Sequence, residues 1–417
     1  MNIYFSGVGG VGIGPLVHIA LDAGYGVQGS DAAESPLTEE LRGRGVKLTI
    51  GQDGTFLQAC HAAQPIDWFV YTSALPTNHP ELLLARQLGI KTAKRDELLA
   101  RIIQEKNLKL IAVAGTHGKT TTTGMLVWTF KQLGIPVSYS VGTTLNFGPS
   151  GKYDPTSEYF VYECDEFDRN FLHFSPDIAL ITSLDYDHPD TYPTEQDYLD
   201  AFNQFVTQCQ KVILWRTNAL ELNMSNGDSW ILGDNEVLDI KLPGAHNRRN
   251  ATLVVKTFEA IGITSTQQVL DTLAIFPGTD RRFERLADNL YTDYGHHPVE
   301  IAATLQLARE LSEHVVLVYQ PHQNVRQHEI RDQYTDTFVL AEHVYWLPTY
   351  LAREREDQPL LTPAELTLDI TNKKDITASD LNSDLWNNIQ QARKEGKLVL
   401  CMGAGTIDKW VRDLLKA

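Results

Sequence analysis

The sequence is poor in cysteine and in positive charge. Its four cysteines, Cys60, Cys164, Cys209 and Cys401, include no Cys-x-x-Cys pair. This spacing argues against a disulfide framework and against a zinc site, and it fits a reducing compartment. Lysine and arginine total 36 against 53 aspartates and glutamates, which gives a formal net charge of −17. Nucleic-acid binding needs a basic face, so a nucleic acid is not expected as a partner.

Long apolar runs are also missing. No stretch approaches the ~20 consecutive apolar residues that cross a bilayer, and the N-terminal segment lacks a basic region followed by an apolar run. We therefore expect a cytoplasmic protein with no membrane insertion. A hydrophobic content of 42% and a charged content of 21% are typical of globular proteins, and a chain of this length suggests about three domains.

Residues 111–123, IAVAGTHGKTTTT, have the pattern of a phosphate-binding loop. A short apolar strand leads to a glycine turn and then to a helix with apolar spacing. Backbone N–H groups at such a helix start bind anions, Lys119 would reach the terminal phosphates, and the Thr120 hydroxyl would ligate Mg²⁺. Val113 stands where a full G-x-x-x-x-G-K-[ST] loop has its first glycine, so an ordinary turn remains the alternative. The candidate nucleotide contacts are Gly115, Thr116, His117, Gly118, Lys119, Thr120 and Thr121.

A second glycine-rich turn, residues 7–12, follows a strand pattern and precedes an apolar helix. Its G-x-G-x-x-G spacing permits close approach of a diphosphate. Asp31, at the end of the next strand, can accept hydrogen bonds from a ribose. A third strand, Trp68–Tyr71, ends in small hydroxylated residues that serve as diphosphate contacts or as a helix cap. The candidates are Gly9, Gly10, Val11, Gly12, Asp31, Thr72 and Ser73. Alone, these features also fit an NAD-dependent oxidoreductase, or a turn without a ligand.

Acidic residues follow the strand pattern EYFVY. They are Glu163, Asp165, Glu166 and Asp168. Mg²⁺ on a nucleotide takes one or two carboxylates, and Glu163 is best placed; a solvated acidic loop is the alternative. The next strand pattern leads to His188, a second candidate metal ligand beside two aspartates. Because parallel strands of a sheet end at one edge, we expect Thr120, Glu163 and His188 to converge.

Two pairs of polar residues mark the region after the strand VILW. Asn247 and Asn250 lie three apart on the first turn of a long amphipathic helix. Their amides can read an adenine edge or cap the helix. Arg281 and Arg282 follow in FPGTDRRFERL. A guanidinium suits phosphate, although an arginine pair is also a common surface feature.

From about Ala287 an alternating α/β pattern restarts. Several polar residues follow its strands, at the edge where an α/β site is expected. They are Asp293, His296, His297, His322 and Arg326. The sequence GAG at residues 403–405 is a last glycine turn, which would bind a phosphate or serve in packing.

Taken together and in order, the motifs resemble those of the Mur ligases across essentially the whole chain. They are GVGGVG with GSD, AGTHGKTTTT, ECDEFD, DYDHPDTY, GAHNRRNA, FPGTDRRFERL, YTDYGHHPVEI, YQPH and GAGTI. The resemblance implies an α/β fold with three domains. These are a Rossmann-like N-terminal domain for a UDP-sugar (1–106), a central P-loop ATPase domain (107–286) and a Rossmann-like C-terminal domain for an amino acid (287–417). The turn at residues 7–12 would then hold a UDP diphosphate rather than NAD.

The resemblance also implies an activity. Mur ligases use ATP and Mg²⁺ to phosphorylate a substrate carboxylate, and an amine then attacks the acyl phosphate. The likeness is greatest to the branch that joins L-alanine to UDP-N-acetylmuramate in peptidoglycan precursor synthesis. The branch that attaches a recycled tripeptide to the same sugar nucleotide is the alternative, and an NAD-dependent oxidoreductase is a distant one. We expect a monomer or a homodimer.

Particular residues take roles from this resemblance. Lys119 would contact the β- and γ-phosphates, Thr120 and Glu163 would hold one Mg²⁺, and His188 would hold a second. Asn247 and Asn250 would lie near the nucleotide base and Arg282 near the phosphates. Asp293 would lie on the face of the C-terminal domain toward the nucleotide. His322 and Arg326 would place the amino acid. Since the last residues belong to a separate domain, we expect closure around both substrates before chemistry.

Two features depart from the L-alanine pattern. An arginine is expected directly after Gln-Pro-His, and Gln323 stands there instead. The sequence LNFG at residues 145–148, with ECDEFD, is similar to the tripeptide branch. The chain is also shorter than either branch leads us to expect, so we expect trimmed loops.

Overall fold

The computed structural model describes residues 1–10, 12–72, 75–188, 191–224, 229–263, 265–352, 354–355 and 357–416. Of the predicted site residues, Val11 and Ser73 lie outside these ranges. Strands and helices alternate along most of the chain, which confirms the predicted α/β class.

The strands and helices have the following bounds. The strands are β1 (Asn2–Ser6), β2 (Gly26–Asp31), β3 (Lys47–Ile50), β4 (Trp68–Tyr71), β5 (Lys91–Lys94), β6 (Lys109–Ala114), β7 (Val137–Ser140), β8 (Gly151–Lys152), β9 (Tyr159–Glu163), β10 (Ile178–Ile181), β11 (Lys211–Trp215), β12 (Trp230–Leu232), β13 (Glu284–Ala287), β14 (Leu290–Asp293), β15 (Val315–Tyr319), β16 (His343–Trp346), β17 (Ile376–Ala378) and β18 (Leu398–Met402). The helices are α1 (Gly14–Asp22), α2 (Pro36–Gly43), α3 (Thr55–Ala63), α4 (Pro80–Gln87), α5 (Arg95–Glu105), α6 (Lys119–Gln132), α7 (Glu195–Thr207), α8 (Arg216–Glu221), α9 (Ala245–Ala260), α10 (Thr266–Ala274), α11 (Pro298–Leu311), α12 (Asn324–Ile330), α13 (Pro363–Leu366), α14 (Ser383–Lys394) and α15 (Ile407–Lys416).

The first sheet has the strand order β3-β2-β1-β4-β5, and all its pairs are parallel. Its central strand is completely buried at Ile3, Tyr4 and Phe5, as expected for a strand covered by helices on both faces. The predicted strands Asn2–Ser6 and Trp68–Tyr71 are confirmed. The parallel order brings the glycine turn after β1, the loop after β4 and the start of α5 after β5 to one edge.

The second sheet has the order β12-β11-β10-β6-β9-β7-β8, with β8 antiparallel to β7. Strand β6 lies between β10 and β9, and its residues from Leu110 to Ala114 are at most 3% exposed. Such burial explains the uninterrupted apolar run that marked this strand in the sequence. Because β9 and β10 flank β6, the three predicted strand ends are neighbours.

The third sheet has the order β13-β14-β18-β15-β16-β17. All pairs are parallel except β13 with β14, which form an antiparallel hairpin. Its carboxyl edge carries Asp293 at the end of β14 and the Gln-Pro-His segment after β15. The predicted boundary between residues 286 and 287 falls inside β13, so the third sheet begins before that boundary.

The chain divides into two compact units. The first consists of Met1–Val237 and Asn250–Pro277 and contains the first two sheets. The second consists of Leu238–Arg249 and Gly278–Ala417 and contains the third sheet. In the ranges that the structure describes, no helix has both the length and the apolar character needed to cross a bilayer.

Candidate nucleotide and amino-acid sites

The phosphate-binding loop connects β6 to α6 and depends on two glycines. Gly115 has φ +123°, and a Cβ added to it would lie 2.5 Å from Thr182 Oγ1 and 2.7 Å from the Ser183 carbonyl. Gly118 caps α6 with φ +84°. A side chain at either position would be strained, and at Gly115 it would also clash with the chain after β10. The predicted strand, turn and helix are therefore present.

Side chains of the loop fix it to the end of β10. The Thr116 hydroxyl donates to the Asp185 carbonyl (2.7 Å) and accepts from the Asp185 N–H (2.8 Å). The His117 N–H donates to Ser183 Oγ (2.9 Å). These bonds use up polar groups on the outer side of the loop and hold its shape in advance of any ligand.

Lys119 lies folded over its own loop. Its Nζ donates to the Gly115 carbonyl (2.6 Å) and to both carboxylate oxygens of Glu166 (2.8 and 2.9 Å). Burial lowers the pKa of Lys119, but Glu166 and Asp165 raise it by more, so the pKa lies above its usual value. Burial likewise raises the pKa of Glu166, and Lys119 and His188 outweigh it and leave the pKa low. The two groups form a charged, buried pair.

Two sets of oxygen and nitrogen ligands lie beside this pair. The Thr120 hydroxyl donates to Glu163 Oε1 (2.7 Å), whose other oxygen accepts from the Gly142 N–H (2.7 Å). Separately, one ligand atom each from Asp165, Glu166 and His188 lie within 4.8 Å of one another. Thr120 and Glu163 thus meet at the ends of β6 and β9, and His188 lies with Asp165 and Glu166 instead; a single site that includes Thr120, Glu163 and His188 stays a prediction.

The chemistry of these donors suits a divalent cation. The first set offers a hydroxyl and a carboxylate, which are oxygen ligands of the kind Mg²⁺ prefers. The second offers two carboxylates and an imidazole. His188 has φ +60°, and its Nε2 lies 3.6 Å from Glu166 Oε1. Burial lowers the pKa of His188, but Glu166 and Asp187 raise it by more and the pKa is above its usual value.

Sequence reasoning did not select Asp165 and Glu166 as ligands. Both belong to the acidic run after EYFVY, in which Glu163 directly follows the strand and is the ligand that the pattern favours. The chain after β9 turns sharply at Asp168 (φ 54°) and Arg169 (φ 57°), and no glycine announces this turn. The signal available in the sequence was only the acidic run itself.

A cleft of about 150 Å³ lies between the first and the second sheet. Its lining comes from the glycine turn, the carboxyl ends of β4 and β5 and the acidic segment after β9: Gly12, Ile13, Thr72, Lys94, Arg95, Asp96, Asp165, Phe167 and Asn170. Two of the predicted diphosphate contacts, Gly12 and Thr72, are in this lining. Asp31 instead accepts from the Gly9 N–H through Oδ2 (2.7 Å), so it orders the glycine turn.

The two asparagines of α9 have different surroundings. In the first compact unit, the side-chain amide of Asn250 packs on the phosphate-binding loop, 3.0 Å from where a Cβ on Gly118 would lie. Asn247 belongs to the second unit, where its Nδ2 donates to the Pro243 carbonyl (2.9 Å), ahead of the helix. This bond is not a helix cap, which would need the side-chain oxygen to accept from a first-turn N–H, and the role of Asn247 stays a prediction.

In the second unit, Asp293 ends β14 in a buried position. Its two oxygens accept from the N–H groups of Gly295 and Phe283, each at 2.7 Å. Burial raises the pKa of Asp293 to about 6, although Arg282 acts in the opposite direction. Arg282 Nη1 lies 3.9 Å from Glu300 Oε1. Arg281 donates to the Gly403 carbonyl (3.2 Å), and the guanidinium groups of both arginines lie over the Tyr294 ring.

His296 and Arg326 are hydrogen-bonded to each other. Arg326 Nη1 donates to His296 Nε2, and His296 Nδ1 lies 3.2 Å from the Tyr294 carbonyl. Burial lowers the pKa of His296 to about 4, so the ring is neutral, with its proton on Nδ1. His297 has a capping role: its Nδ1 accepts from the Val299 N–H (3.4 Å) at the start of α11.

A buried chain of hydrogen bonds joins the loops that carry His296 and His322. The Tyr319 hydroxyl donates to the His296 carbonyl (3.2 Å) and lies 2.9 Å from the Tyr334 hydroxyl. Tyr334 donates to Gln327 Oε1 (2.8 Å), and Gln327 Nε2 donates to the His322 carbonyl (3.1 Å). The sequence alone does not reveal such a network, because Tyr319 and Tyr334 have the pattern of aromatic residues in a hydrophobic core.

Two further features of this edge concern Tyr350 and the last glycine turn. The His322 ring stacks on Tyr350, with centroids 5.6 Å apart, and Gln323 takes φ +61° and donates its N–H to the Tyr350 carbonyl (2.8 Å). At the turn of residues 403–405, Gln320 Oε1 accepts from the N–H groups of Thr406 (2.8 Å) and Ile407 (3.1 Å). This turn serves in packing.

A glycine turn and a phosphate-binding loop on two parallel sheets, with an acidic cluster at the strand ends, define an α/β protein of the nucleotide-phosphate-binding class. Sequence profiles of three domains match the chain: "Mur ligase family, catalytic domain" at residues 2–107, "Mur ligase middle domain" at 113–229 and "Mur ligase, glutamate ligase domain" at 281–405. The chain belongs to the Mur ligase family.

Individual relatives agree with this assignment. The UDP-N-acetylmuramate–L-alanine ligase of Carboxydothermus hydrogenoformans is 32% identical over 451 aligned residues, which cover 98% of this chain and 95% of the relative. The structure of the Thermotoga maritima UDP-N-acetylmuramate-alanine ligase superposes with a TM-score of 0.75 at 23% identity and covers 100% of this chain and 98% of that one. A murein peptide ligase from Psychrobacter arcticus gives a TM-score of 0.65 at 22% identity, with the same two coverages. The two structural likenesses concern the fold, and they confirm the predicted three-domain architecture.

Proposed function

We propose that this protein is an ATP-dependent ligase that joins L-alanine to the carboxylate of UDP-N-acetylmuramate, a step of peptidoglycan precursor synthesis. The observation that carries the proposal is the cleft between the first two sheets. One wall holds Gly12 and Thr72, where a diphosphate would bind, and the opposite wall holds Asp165, next to the pair of Lys119 and Glu166. A sugar nucleotide seated in this cleft would present its carboxylate to the phosphate-binding loop.

The proposed reaction has two steps. A carboxylate is a poor electrophile at neutral pH, so a carboxylate oxygen first attacks the γ-phosphorus of ATP, and ADP leaves. The amine of the amino acid then attacks the carbonyl carbon of the acyl phosphate, and phosphate leaves from the tetrahedral intermediate. Positioning and neutralisation of charge supply most of the catalysis in such transfers.

The residues of the phosphate-binding loop would stabilise the transferred group. Lys119 would exchange Glu166 for the β- and γ-phosphates, and the N–H groups at the start of α6 would bind the same oxygens. Thr120 and Glu163 would hold one Mg²⁺, and His188 with Asp165 and Glu166 would hold a second. These cations would reduce the repulsion between the phosphates and the incoming carboxylate. Asn250 would lie beside the nucleotide, since it packs on Gly118.

The second unit would hold the amino acid. Arg326 is a fixed cation with a planar fork, which suits an α-carboxylate. His296 orients that fork because it accepts one of its N–H bonds. His322 lies nearby through the contact of its ring with that of His296, with centroids 5.6 Å apart. Asp293 and Arg282 would act at the nucleotide, as the family resemblance implies.

One observation bears on the tripeptide alternative. Phe147 of the LNFG segment packs on Trp128 and Phe276, with centroids 5.2 and 6.3 Å away, and Lys131 donates to its carbonyl. The segment is therefore engaged in packing against α6, and its likeness to the tripeptide branch gives no support to a tripeptide site. L-Alanine remains the preferred donor, although Gln323 replaces the expected arginine.

The test is phosphate release from ATP in the presence of Mg²⁺ and UDP-N-acetylmuramate. L-Alanine, glycine, L-serine and the recycled tripeptide are compared as amine donors, and mass spectrometry identifies the product. We expect release to require both the sugar nucleotide and L-alanine. Release with the tripeptide alone would assign the recycling reaction instead. A change in nicotinamide absorbance on turnover would be needed to revive the oxidoreductase.

Three related properties are proposals as well. Because the reaction consumes ATP, we place the protein in the cytoplasm, without insertion into a membrane. We expect no nucleic-acid partner, given the charge of −17. The expected assembly is a monomer or a homodimer, which sedimentation equilibrium distinguishes. The domain ranges 1–106, 107–286 and 287–417 are also a proposal, with β13 lying across the second boundary.

A further inference from the structure

Arg95 occupies a position that no site motif marked. It is the first residue of α5 and directly follows β5, at the carboxyl edge of the first sheet. Its side chain, 28% exposed, lines the cleft between the first two sheets. A basic residue at the start of a helix lies at the unfavourable end of the macrodipole, so local helix stability does not account for it.

One side of the guanidinium is fixed by the protein. Nε lies 3.2 Å from both carboxylate oxygens of Asp96, and Nη2 lies 3.0 Å from Asp96 Oδ1 and 3.5 Å from the Tyr162 hydroxyl. Tyr162 also donates to Asp96. Asp96 and Tyr162 are 2% and 3% exposed. The fork is thus held in one orientation, at little further cost in side-chain entropy when it binds a ligand.

The other side of the guanidinium faces the glycine turn. A Cβ added to Gly12 would lie 3.5 Å from Arg95 Nη1. Within the part of the chain that the structure describes, Nη1 makes no hydrogen bond. The N–H groups on this side of the guanidinium therefore point into the cleft beside the glycine turn, where they favour an anion.

We propose that Arg95 binds the diphosphate of the sugar nucleotide beside the glycine turn. Asp96 and Tyr162 are positioning residues that hold its guanidinium toward Gly12. The identity of the ligand rests on the proposed function, but the chemistry recognised is that of a nucleoside diphosphate. Asp96 is already satisfied by Arg95 and Tyr162, so it does not repel the anion as a free carboxylate would.

The same contact links this diphosphate site to the phosphate-binding loop. Tyr162 and Glu163 are consecutive residues of β9, and Glu163 accepts from Thr120 (2.7 Å). Tyr162 contacts α5, the helix that carries Arg95, through Asp96. A single strand of the second sheet thus supports both the arginine that holds the sugar nucleotide and the threonine at the start of α6.

Binding of UDP, UDP-N-acetylmuramate and ATP by calorimetry tests the proposal. We compare Arg95→Gln and Arg95→Lys with the wild type and with Arg101→Gln, an exposed arginine of the same helix paired with Glu105 at 3.5 Å. Loss of a charge-assisted hydrogen bond weakens binding by about 10- to 100-fold. We expect that loss for UDP and UDP-N-acetylmuramate in Arg95→Gln, a smaller loss in Arg95→Lys, and ATP binding unchanged in both.

The outcomes separate the proposals. An unchanged UDP affinity in Arg95→Gln overturns the assignment. This holds even if the variant binds UDP-N-acetylmuramate less well, because the arginine then contacts the sugar carboxylate and not the diphosphate. Failure of the wild type to bind UDP-N-acetylmuramate overturns the proposed function instead. A merely structural role of Arg95 predicts weaker ATP binding as well. Tyr162→Phe, which keeps the packing, is expected to raise the KM for the sugar nucleotide with the KM for ATP unchanged.

Discussion

Lys119 Nζ and the carboxylate of Glu166 form a buried ion pair, with both oxygens within 2.9 Å of the nitrogen. The positive charge of this lysine in the phosphate-binding loop is thus balanced by a carboxylate before a nucleotide binds. Glu166 also lies 3.6 Å from His188 Nε2, so a phosphate that takes over Lys119 leaves Glu166 to the metal-ligand cluster. In the proposed site, the pair would couple phosphate binding to metal binding.

The first prediction concerns Lys119→Ala. Removal of a preorganised cation at the transferred phosphate lowers kcat by about 10²- to 10³-fold. Phosphate release under saturating substrates measures this loss, and circular dichroism checks that the fold is retained. Lys152→Ala is the matched control, because Lys152 is 45% exposed and pairs with Asp154 at the surface. Activity near the wild-type level in Lys119→Ala would exclude the phosphate-binding role.

His188→Ala tests the second cation. Loss of one ligand from a metal site lowers metal affinity by about 10-fold or more, so the Mg²⁺ concentration for half-maximal activity rises. A titration with Mg²⁺ at fixed ATP measures it. The exposed His173 supplies the control substitution His173→Ala. An unchanged titration in His188→Ala would mean that the histidine has a structural role.

Arg326→Ala separates the amine donor from the other substrates. The KM for the amino acid is expected to rise by about 10- to 100-fold, the effect of a lost charge-assisted contact. The KM values for ATP and UDP-N-acetylmuramate stay near those of the wild type. Arg331→Ala serves as the control, since Arg331 is 46% exposed and its contact with the neighbouring Asp332 is long, at 3.8 Å. Equal increases in all three KM values would remove Arg326 from the amino-acid site.

Asp293 gives a prediction about pH. Burial raises its pKa to about 6 in the folded protein, against about 3.9 for an unfolded aspartate. The folded state therefore holds the proton more tightly, and the stability from this group is present below pH 4 and is lost as pH rises through 6. A difference of about two between the folded and unfolded pKa values corresponds to roughly 3 kcal/mol in the free energy of unfolding. Arg282 and Glu300 face the same carboxyl group and modulate its pKa.

Urea unfolding between pH 4.5 and 7.5 measures this dependence. The midpoint of the wild type is expected to fall relative to that of Asp293→Asn as the pH rises, because asparagine does not ionise. Asp288→Asn is the control, since Asp288 is 92% exposed. Parallel pH curves for the wild type and Asp293→Asn would show that Asp293 does not titrate in this range.

Much of the fold could be predicted from local patterns. Strands β1, β4 and β6 are short apolar runs that end in glycine or hydroxylated turns, and burial between parallel neighbours demands such runs. The hairpin of β13 and β14 was not anticipated. Its turn uses Asn289 at φ 56° without a glycine, and β13, ERLA, is too polar to suggest a strand.

The site could be predicted only in part, for a related reason. Thr120, Glu163 and His188 were predicted because each follows a strand, and the structure joins Thr120 to Glu163 and places His188 beside Glu166. Glu166 lies three residues beyond the end of β9, just before two consecutive residues with positive φ, and sequence patterns do not show that its side chain turns back to Lys119. Arg95 was overlooked because a charged residue at the start of a helix looks like ordinary solvent-facing composition.

The side chain of Gln320 occupies the helix N-terminus at the last glycine turn of the third sheet. Its side-chain oxygen lies where the N-terminus of α15 would otherwise attract a phosphate, and a Cβ on Gly405 would come within 2.5 Å of that oxygen. The sheet keeps the topology of dinucleotide-binding domains, but a side chain of the protein fills the helix N-terminus at which such domains bind a phosphate. In the proposed function, ligand choice in this unit would therefore rest with the loops after β14 and β15, and a nucleotide phosphate would meet no open helix terminus at this turn.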